Sequence, residues 1–167
     1  YTATTQPEQT VLLVSRSQDL AVNLLRYCYL TYNNLKTAPM MTKANESEMG
    51  FTNGSRIKSI PANRSTGRGF TANAIYLDEF GYAEYADEIY QSVSPAVSQG
   101  GRLVVGSTPN GIGNLFHTLY LTGDNFVRFV EPWYHCPAYW TDDEQAAGVP
   151  KEESAWYVRE RPKYTVQ

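Results

Sequence analysis

Reactive and metal-ligating side chains are scarce in this chain. It has two cysteines, Cys28 and Cys136, far apart in sequence. They form no Cys-x-x-Cys pair and no disulfide framework. The two histidines, His117 and His135, supply no zinc spacing. His135 and Cys136 are adjacent, but a metal there would need distant partners. A global basic field is also missing. Fourteen basic against seventeen acidic residues leave a net charge of −3, so composition does not argue for a nucleic-acid binder. No apolar run is long enough to span a membrane, and no secretory leader is visible in these residues. Without a leader, the Asn-x-Ser triplets at Asn45, Asn53 and Asn63 read as chance matches, and an intracellular protein is the default expectation. Gly-x-Gly-x-x-Gly is absent too, which excludes the dinucleotide fingerprint. What remains is 167 residues, a length that suits one domain, with 42% hydrophobic residues to build a core.

The apolar residues come in short runs. Val11-Leu12-Leu13-Val14, Ala74-Ile75-Tyr76-Leu77 and Leu103-Val104-Val105 are each bounded by polar residues or glycine. Runs of this length predict strands buried on both faces, as in parallel sheets. Ser17 is a candidate N-cap after the first run, and Leu20, Leu24, Leu25 and Cys28 then share one helical face. Strand, turn and helix in that order favour α/β. Residues 1–10 read as a loop or frayed entry, and residues 33–47 as polar and irregular. Asn53-Gly54, between Phe51 and the pair Ile57 and Ile60, predicts a hairpin whose second strand ends at Pro61. A helix is expected over 86–93, ended or kinked at Pro95. Another, marked by Leu115 and Leu119, should stop at Gly123. A further strand is expected over 126–130. Helical pieces are expected near Asp142–Ala147 and 152–161.

The second run leads straight into two acids, Asp78 and Glu79, followed by Phe80 and Gly81. Acids at that point sit at the carboxyl end of a strand, where open α/β sheets bind ligands. In P-loop NTPases the position holds a magnesium-associated aspartate, as in the Walker B motif, and an adjacent glutamate suits a water-activating base. The same pair would equally serve to start a loop or cap a helix. Adjacent strand residues point to opposite faces, so both acids can serve one site only if the chain bends there. Arg16 ends the first strand and would share that edge, as a ligand contact or a solvated turn residue. Gly67-Arg68-Gly69 would present a guanidinium outward, or form an ordinary turn. Ser107-Thr108-Pro109-Asn110-Gly111 closes the third strand. Its hydroxyls can bond a phosphate or water, and Pro-Asn-Gly makes a β-turn in either case.

Taken in order, Gly-Arg-Gly, IYLDEF, a helix, a strand and GSTPNG resemble the ATPase half of the large terminase subunit, the motor that packages DNA in tailed bacteriophages. VLLVSRSQDLA is similar to the strand and helix that follow the phosphate-binding loop there. The resemblance covers residues 11–132. It implies a P-loop NTPase core of the RecA/ASCE type, with a mostly parallel sheet flanked by helices and a β-hairpin insertion. It implies ATP and Mg²⁺ as cofactors, with Asp78 holding the metal, through water, and Glu79 activating the attacking water. Ser107 and Thr108 would lie at the nucleotide in the coupling motif, and Arg68 would reach a neighbouring subunit's nucleotide. The implied partners are double-stranded DNA, the small terminase subunit, the portal protein and further copies in a ring, expected as a pentamer. The implied location is the cytoplasm of an infected bacterial host, with no membrane partner.

The sequence departs from that family in one respect. A P-loop needs Gly-x-x-x-x-Gly-Lys-[Ser/Thr], and none is present. The expectation is therefore a motor domain over residues 1–131 lacking its first strand and phosphate loop. A linker or lid over residues 132–167 would lead toward a nuclease domain. Such a fragment alone should hydrolyse almost no ATP. Two other readings stay open: an α/β binding or assembly module without catalysis, and a RecA-like helicase fragment.

Overall fold

The computed structural model describes residues 1–67, 69, 71–97 and 100–160. The chain divides into two units, Tyr1–Phe126 and the residues from Val127 onward.

The first unit is built on one sheet of six strands in the order β2-β3-β4-β1-β5-β6. These are β1 (Thr10–Ser15), β2 (Met41–Ala44), β3 (Glu48–Phe51), β4 (Arg56–Pro61), β5 (Ala74–Leu77) and β6 (Arg102–Val105). The three apolar runs are neighbours and parallel, with Val11 level with Ala74 and Val14 with Leu77, and Ala74 level with Arg102. The hairpin at Asn53-Gly54 is present. Gly54 takes the positive φ of 79° that an L side chain would resist. Its second strand, β4, pairs in parallel with β1, so the hairpin continues the main sheet. The fold is a mixed six-stranded α/β sheet.

Helices α1 (Thr2–Thr5), α2 (Gln18–Asn33), α3 (Ala86–Val97) and α4 (Leu115–Thr122) complete the unit. Period-two alternation sends the sheet's side chains to two cores. Leu12, Val14, Ile75 and Leu77 pack with Ile89 and Val93 of α3, and Leu115 and Leu119 of α4 join them. On the other face Leu13 packs with Leu25 of α2, Met49 and Phe51, and Tyr76 joins at the margin. Ser17 caps α2 as expected, accepting from the Leu20 amide, and Gly123 follows α4.

Several expectations are corrected. Residues 33–47 are not wholly irregular, since β2 lies among them as an edge strand with three exposed residues. Residues 1–10 contain the short helix α1, whose Ala3 is buried. Helix α3 does not stop before Pro95 but runs through it to Val97. Only the last turn follows the proline, so the helix loses little by the missing amide. Residues 126–130 form no strand. Val127 is 99% exposed, so its apolar side chain gains no burial there. Finally, β6 is not buried on both faces. It is the sheet's edge, and Val104 is 53% exposed.

The unit from Val127 onward carries α5 (Asp142–Ala147) and α6 (Ala155–Glu160), with 3₁₀ turns at Trp133–His135, Pro137–Tyr139 and Lys151–Glu153. No helix among the described residues is long and apolar enough to cross a membrane.

Candidate active site

Strands β1, β5 and β6 run parallel, so their carboxyl ends form one rim. β5 ends at Leu77, and the Asp78 amide still donates to the Val14 carbonyl at 2.8 Å. That bond holds Asp78 level with the end of β1. Ser15, the last residue of β1, is fully buried. Its hydroxyl donates to Asp78 Oδ2 at 2.9 Å. Tyr76 lies on the same face of β5, two residues back, and its hydroxyl donates to Asp78 Oδ1 at 3.4 Å. Burial raises the Tyr76 phenol above its ordinary range, and the neighbouring Asp78 and Glu79 charges push the same way. Tyr76 is therefore a protonated donor at neutral pH. One hydroxyl from each side thus holds each carboxylate oxygen.

Glu79 supplies the bend that two adjacent acids need to serve one site. It takes the left-handed conformation, φ 53° and ψ 35°, which costs a non-glycine residue free energy and recurs at functional sites. A 3₁₀ turn, Phe80–Tyr82, follows at once. Asp78 and Glu79 therefore leave the strand in different directions at one rim, and both are half-buried.

The loop after β6 is tied to this turn. The Gly81 amide donates to Ser107 Oγ at 3.0 Å, and the Ser107 hydroxyl donates to the Thr108 carbonyl at 2.8 Å. Asn110 Nδ2 donates to the Gly81 carbonyl at 2.8 Å. Both polar backbone groups of Gly81 are thus held by the loop after β6. Thr108 is exposed. Arg16 is exposed at the same rim, its guanidinium 5.7 Å from the centroid of the Tyr82 ring. Arg68 lies outside the described residues.

Sequence reasoning located Asp78, Glu79, Ser107 and Arg16 at this rim. It missed Ser15, Tyr76 and Asn110. Ser15 carried a usable signal, since a serine directly after a buried strand, one step beyond the level of Leu77, falls beside Asp78 once β1 and β5 are parallel.

The donor set has a definite chemistry. Among the described residues no cluster of three or more histidine, cysteine or acidic side chains could cage a metal. A single carboxylate beside hydroxyls fits a magnesium ion that arrives with phosphates and keeps waters, and does not fit an all-protein cage.

No protein-family model matches the sequence, and no curated protein matches it. Solved structures do. The ATPase domain of the large terminase from Thermus phage P74-26 matches over 74% of this chain at 16% identity, with a TM-score of 0.53. The large terminase from a second, thermophilic bacteriophage matches over 70% of this chain at 13% identity, with a TM-score of 0.51. The chain spans 57% of the first of these and 30% of the second. Likeness at this identity establishes architecture: over 74% of its length the chain shares the fold of a large terminase ATPase domain.

Proposed function

We propose that this chain is part of the ATPase of a large terminase, which couples ATP hydrolysis to moving double-stranded DNA into a procapsid. The observation that carries the reading is the pair Asp78 and Glu79 at the rim. One is fixed through both oxygens, and the other is turned out of the strand by a left-handed backbone. In this reading Asp78 holds Mg²⁺ through water, and the bound ion would neutralise charge on the phosphates. Glu79 accepts a proton from the attacking water as its oxygen bonds to the γ-phosphorus. ADP leaves with the electron pair of the broken P–O bond. Arg68 acts from a neighbouring copy on charge building at the γ-phosphate. Ser107 and Thr108 lie at the nucleotide side of the rim. The Ser107–Gly81 bond supports a coupling role, since any shift of the loop after β6 pulls on the turn that follows Glu79. The open edge of β6 fits a further parallel strand carrying a phosphate loop. A nuclease domain, the small terminase subunit, the portal and a homo-oligomeric ring in the host cytoplasm belong to the same reading of the whole protein. Residues 132–167 act in it as a linker or lid.

The test is Glu79→Gln in the full-length protein. Nucleotide binding should stay within a few-fold of wild type while turnover falls on the order of 10²–10⁴-fold. Normal turnover in that variant would remove Glu79 from the mechanism. One observation favours a second reading, a non-catalytic α/β module: these 167 residues contain no phosphate-loop motif. A full-length wild-type protein without any ATPase activity would select it.

A further inference from the structure

We infer that Ser15 and Tyr76 are positioning residues for Asp78, a hydroxyl clamp that fixes the plane of the carboxylate and reserves its remaining lone pairs for a metal-bound water. The inference rests on the reading of Asp78 as the magnesium-associated carboxylate, and it adds two residues that act through Asp78.

The clamp is built from two strands and the residue that follows a third. Ser15 comes from the end of β1 and approaches Oδ2 at 2.9 Å. Tyr76 comes from β5 itself and approaches Oδ1 at 3.4 Å. The residue after β6, Gly106, contributes by what it leaves out. A Cβ on Gly106 would stand 3.0 Å from the Tyr76 hydroxyl oxygen, so a side chain at 106 would press on the tyrosine hydroxyl and make it shift by a few tenths of an ångström. An ionised carboxylate offers about four lone-pair positions. The clamp uses one on each oxygen, and the others stay available toward the rim. A carboxylate held on one oxygen alone keeps freedom to rotate about its Cβ–Cγ bond. Held on both, by one fully buried donor and one anchored ring, it keeps one orientation. Partners of this kind, which orient a metal's ligand without touching the metal, typically change metal affinity about 10–100-fold when removed.

Two measurements test the clamp. The first uses the 167-residue chain and needs no nucleotide. Urea unfolding is followed for Ser15→Ala, Asp78→Ala and the double variant. The unfolding constant of the double should depart from the product of the single effects by about tenfold, as a hydrogen bond to a charged group requires. The longer Tyr76 contact, taken through Tyr76→Phe, should give about threefold. The second measurement uses the full-length protein and ADP, with Mg²⁺ and with EDTA. Ser15→Ala, Tyr76→Phe and Gly106→Ala should each raise the Mg²⁺ concentration for half-maximal binding roughly tenfold or more. Binding in EDTA should not change, and Ser15→Thr should behave as wild type. Additive unfolding effects would overturn the clamp, as would an unchanged Mg²⁺ requirement in all three variants, which would leave the hydrogen bonds purely structural. The parent reading fails differently. If Asp78→Ala binds Mg-ADP like wild type, Asp78 has no metal role and the clamp falls with it. Additive cycles alongside a dead Glu79→Gln enzyme would sink the clamp alone.

Discussion

The two units are held together by different physics. Every buried hydrophobic residue among those described lies between Ala3 and Val93, in the first unit. From Val127 onward the one buried polar residue described is Ser154. That unit is organised by polar and aromatic contacts. Thr141 and Glu144 form a reciprocal capping box on α5. Glu144 Oε1 also accepts from the Ala155 amide at 2.6 Å, eleven residues on. Trp140 Nε1 donates to the Tyr134 carbonyl at 2.8 Å. Tyr139 stacks on Trp156 at 4.3 Å, and the Lys151 ammonium sits 4.2 Å from the Tyr134 ring centroid. Apolar burial scales with area, and its loss is costly at a single position. Surface hydrogen bonds and ring contacts are worth less each, and those made by an ionisable group such as Glu144 respond to pH. An apolar sheet buried on both faces at β1 and β5 suits the placing of Asp78 and Glu79.

The largest expected effect lies in the first unit. Leu12 is fully buried at the centre of β1, between β4 and β5. Leu12→Ala should cost about 2–5 kcal/mol, from lost transfer energy plus the cavity. Val104 of β6 belongs to a similar apolar run but is half exposed at the edge, and Val104→Ala should stay within about 0.5 kcal/mol. Urea unfolding followed by far-UV circular dichroism measures both. Equal costs for the two would mean that the edge of β6 is as well packed as the centre.

That pair of residues also shows how far the sequence could be read. VLLV and LVV predict strands equally well, and both form. The difference in burial comes from strand order, which depends on pairing between distant segments and leaves no local signal. The Asn-Gly hairpin was legible because its chemistry is local: one backbone conformation and one residue type that tolerates it. β2 was not, because an edge strand with three exposed residues has no alternation to display. Residues 126–130 failed in the opposite sense. Val127, Phe129 and Val130 gave the composition of a strand, but all three are exposed, and composition alone does not supply the pairing and burial a strand needs. At the site, Asp78 and Glu79 were visible as an apolar run ending in acids. The hydroxyls that hold Asp78 were hidden until the parallel register of β1 and β5 placed Ser15 beside it.

A smaller effect separates the units by method of detection. All three tryptophans, Trp133, Trp140 and Trp156, lie from Val127 onward. Tryptophan fluorescence therefore reports the second unit. Thr141→Ala removes the acceptor for the Glu144 amide at 3.2 Å and the donor to Glu144 Oε2 at 2.9 Å. The expected cost is about 1 kcal/mol, the usual worth of a cap, seen as an earlier fluorescence midpoint in urea. An unchanged midpoint would show that α5 does not contribute to that unit's stability.

The smallest effect is one of pH, and it falls on the same glutamate. The Ala155 amide, then the Thr141 amide and hydroxyl, hold the Glu144 carboxyl below the usual glutamate value of 4.5. A group whose folded pKa is depressed adds stability above its unfolded pKa, and that stability is lost as pH falls through the folded value. The second unit should therefore keep its full fluorescence-detected stability above the usual glutamate range and lose part of it on acidification below about 4.5. Glu144 is on the surface, where solvent screens its interactions, so the loss is small. Glu144→Gln isolates it from the other acids. The amide keeps an acceptor for one amide donor but cannot titrate, so the variant starts less stable at neutral pH and approaches wild type as the carboxylate protonates. Two acid-loss curves that run parallel instead of converging would show that the Ala155 bond does not hold α5 to the start of α6. The second unit would then rest on its aromatic contacts.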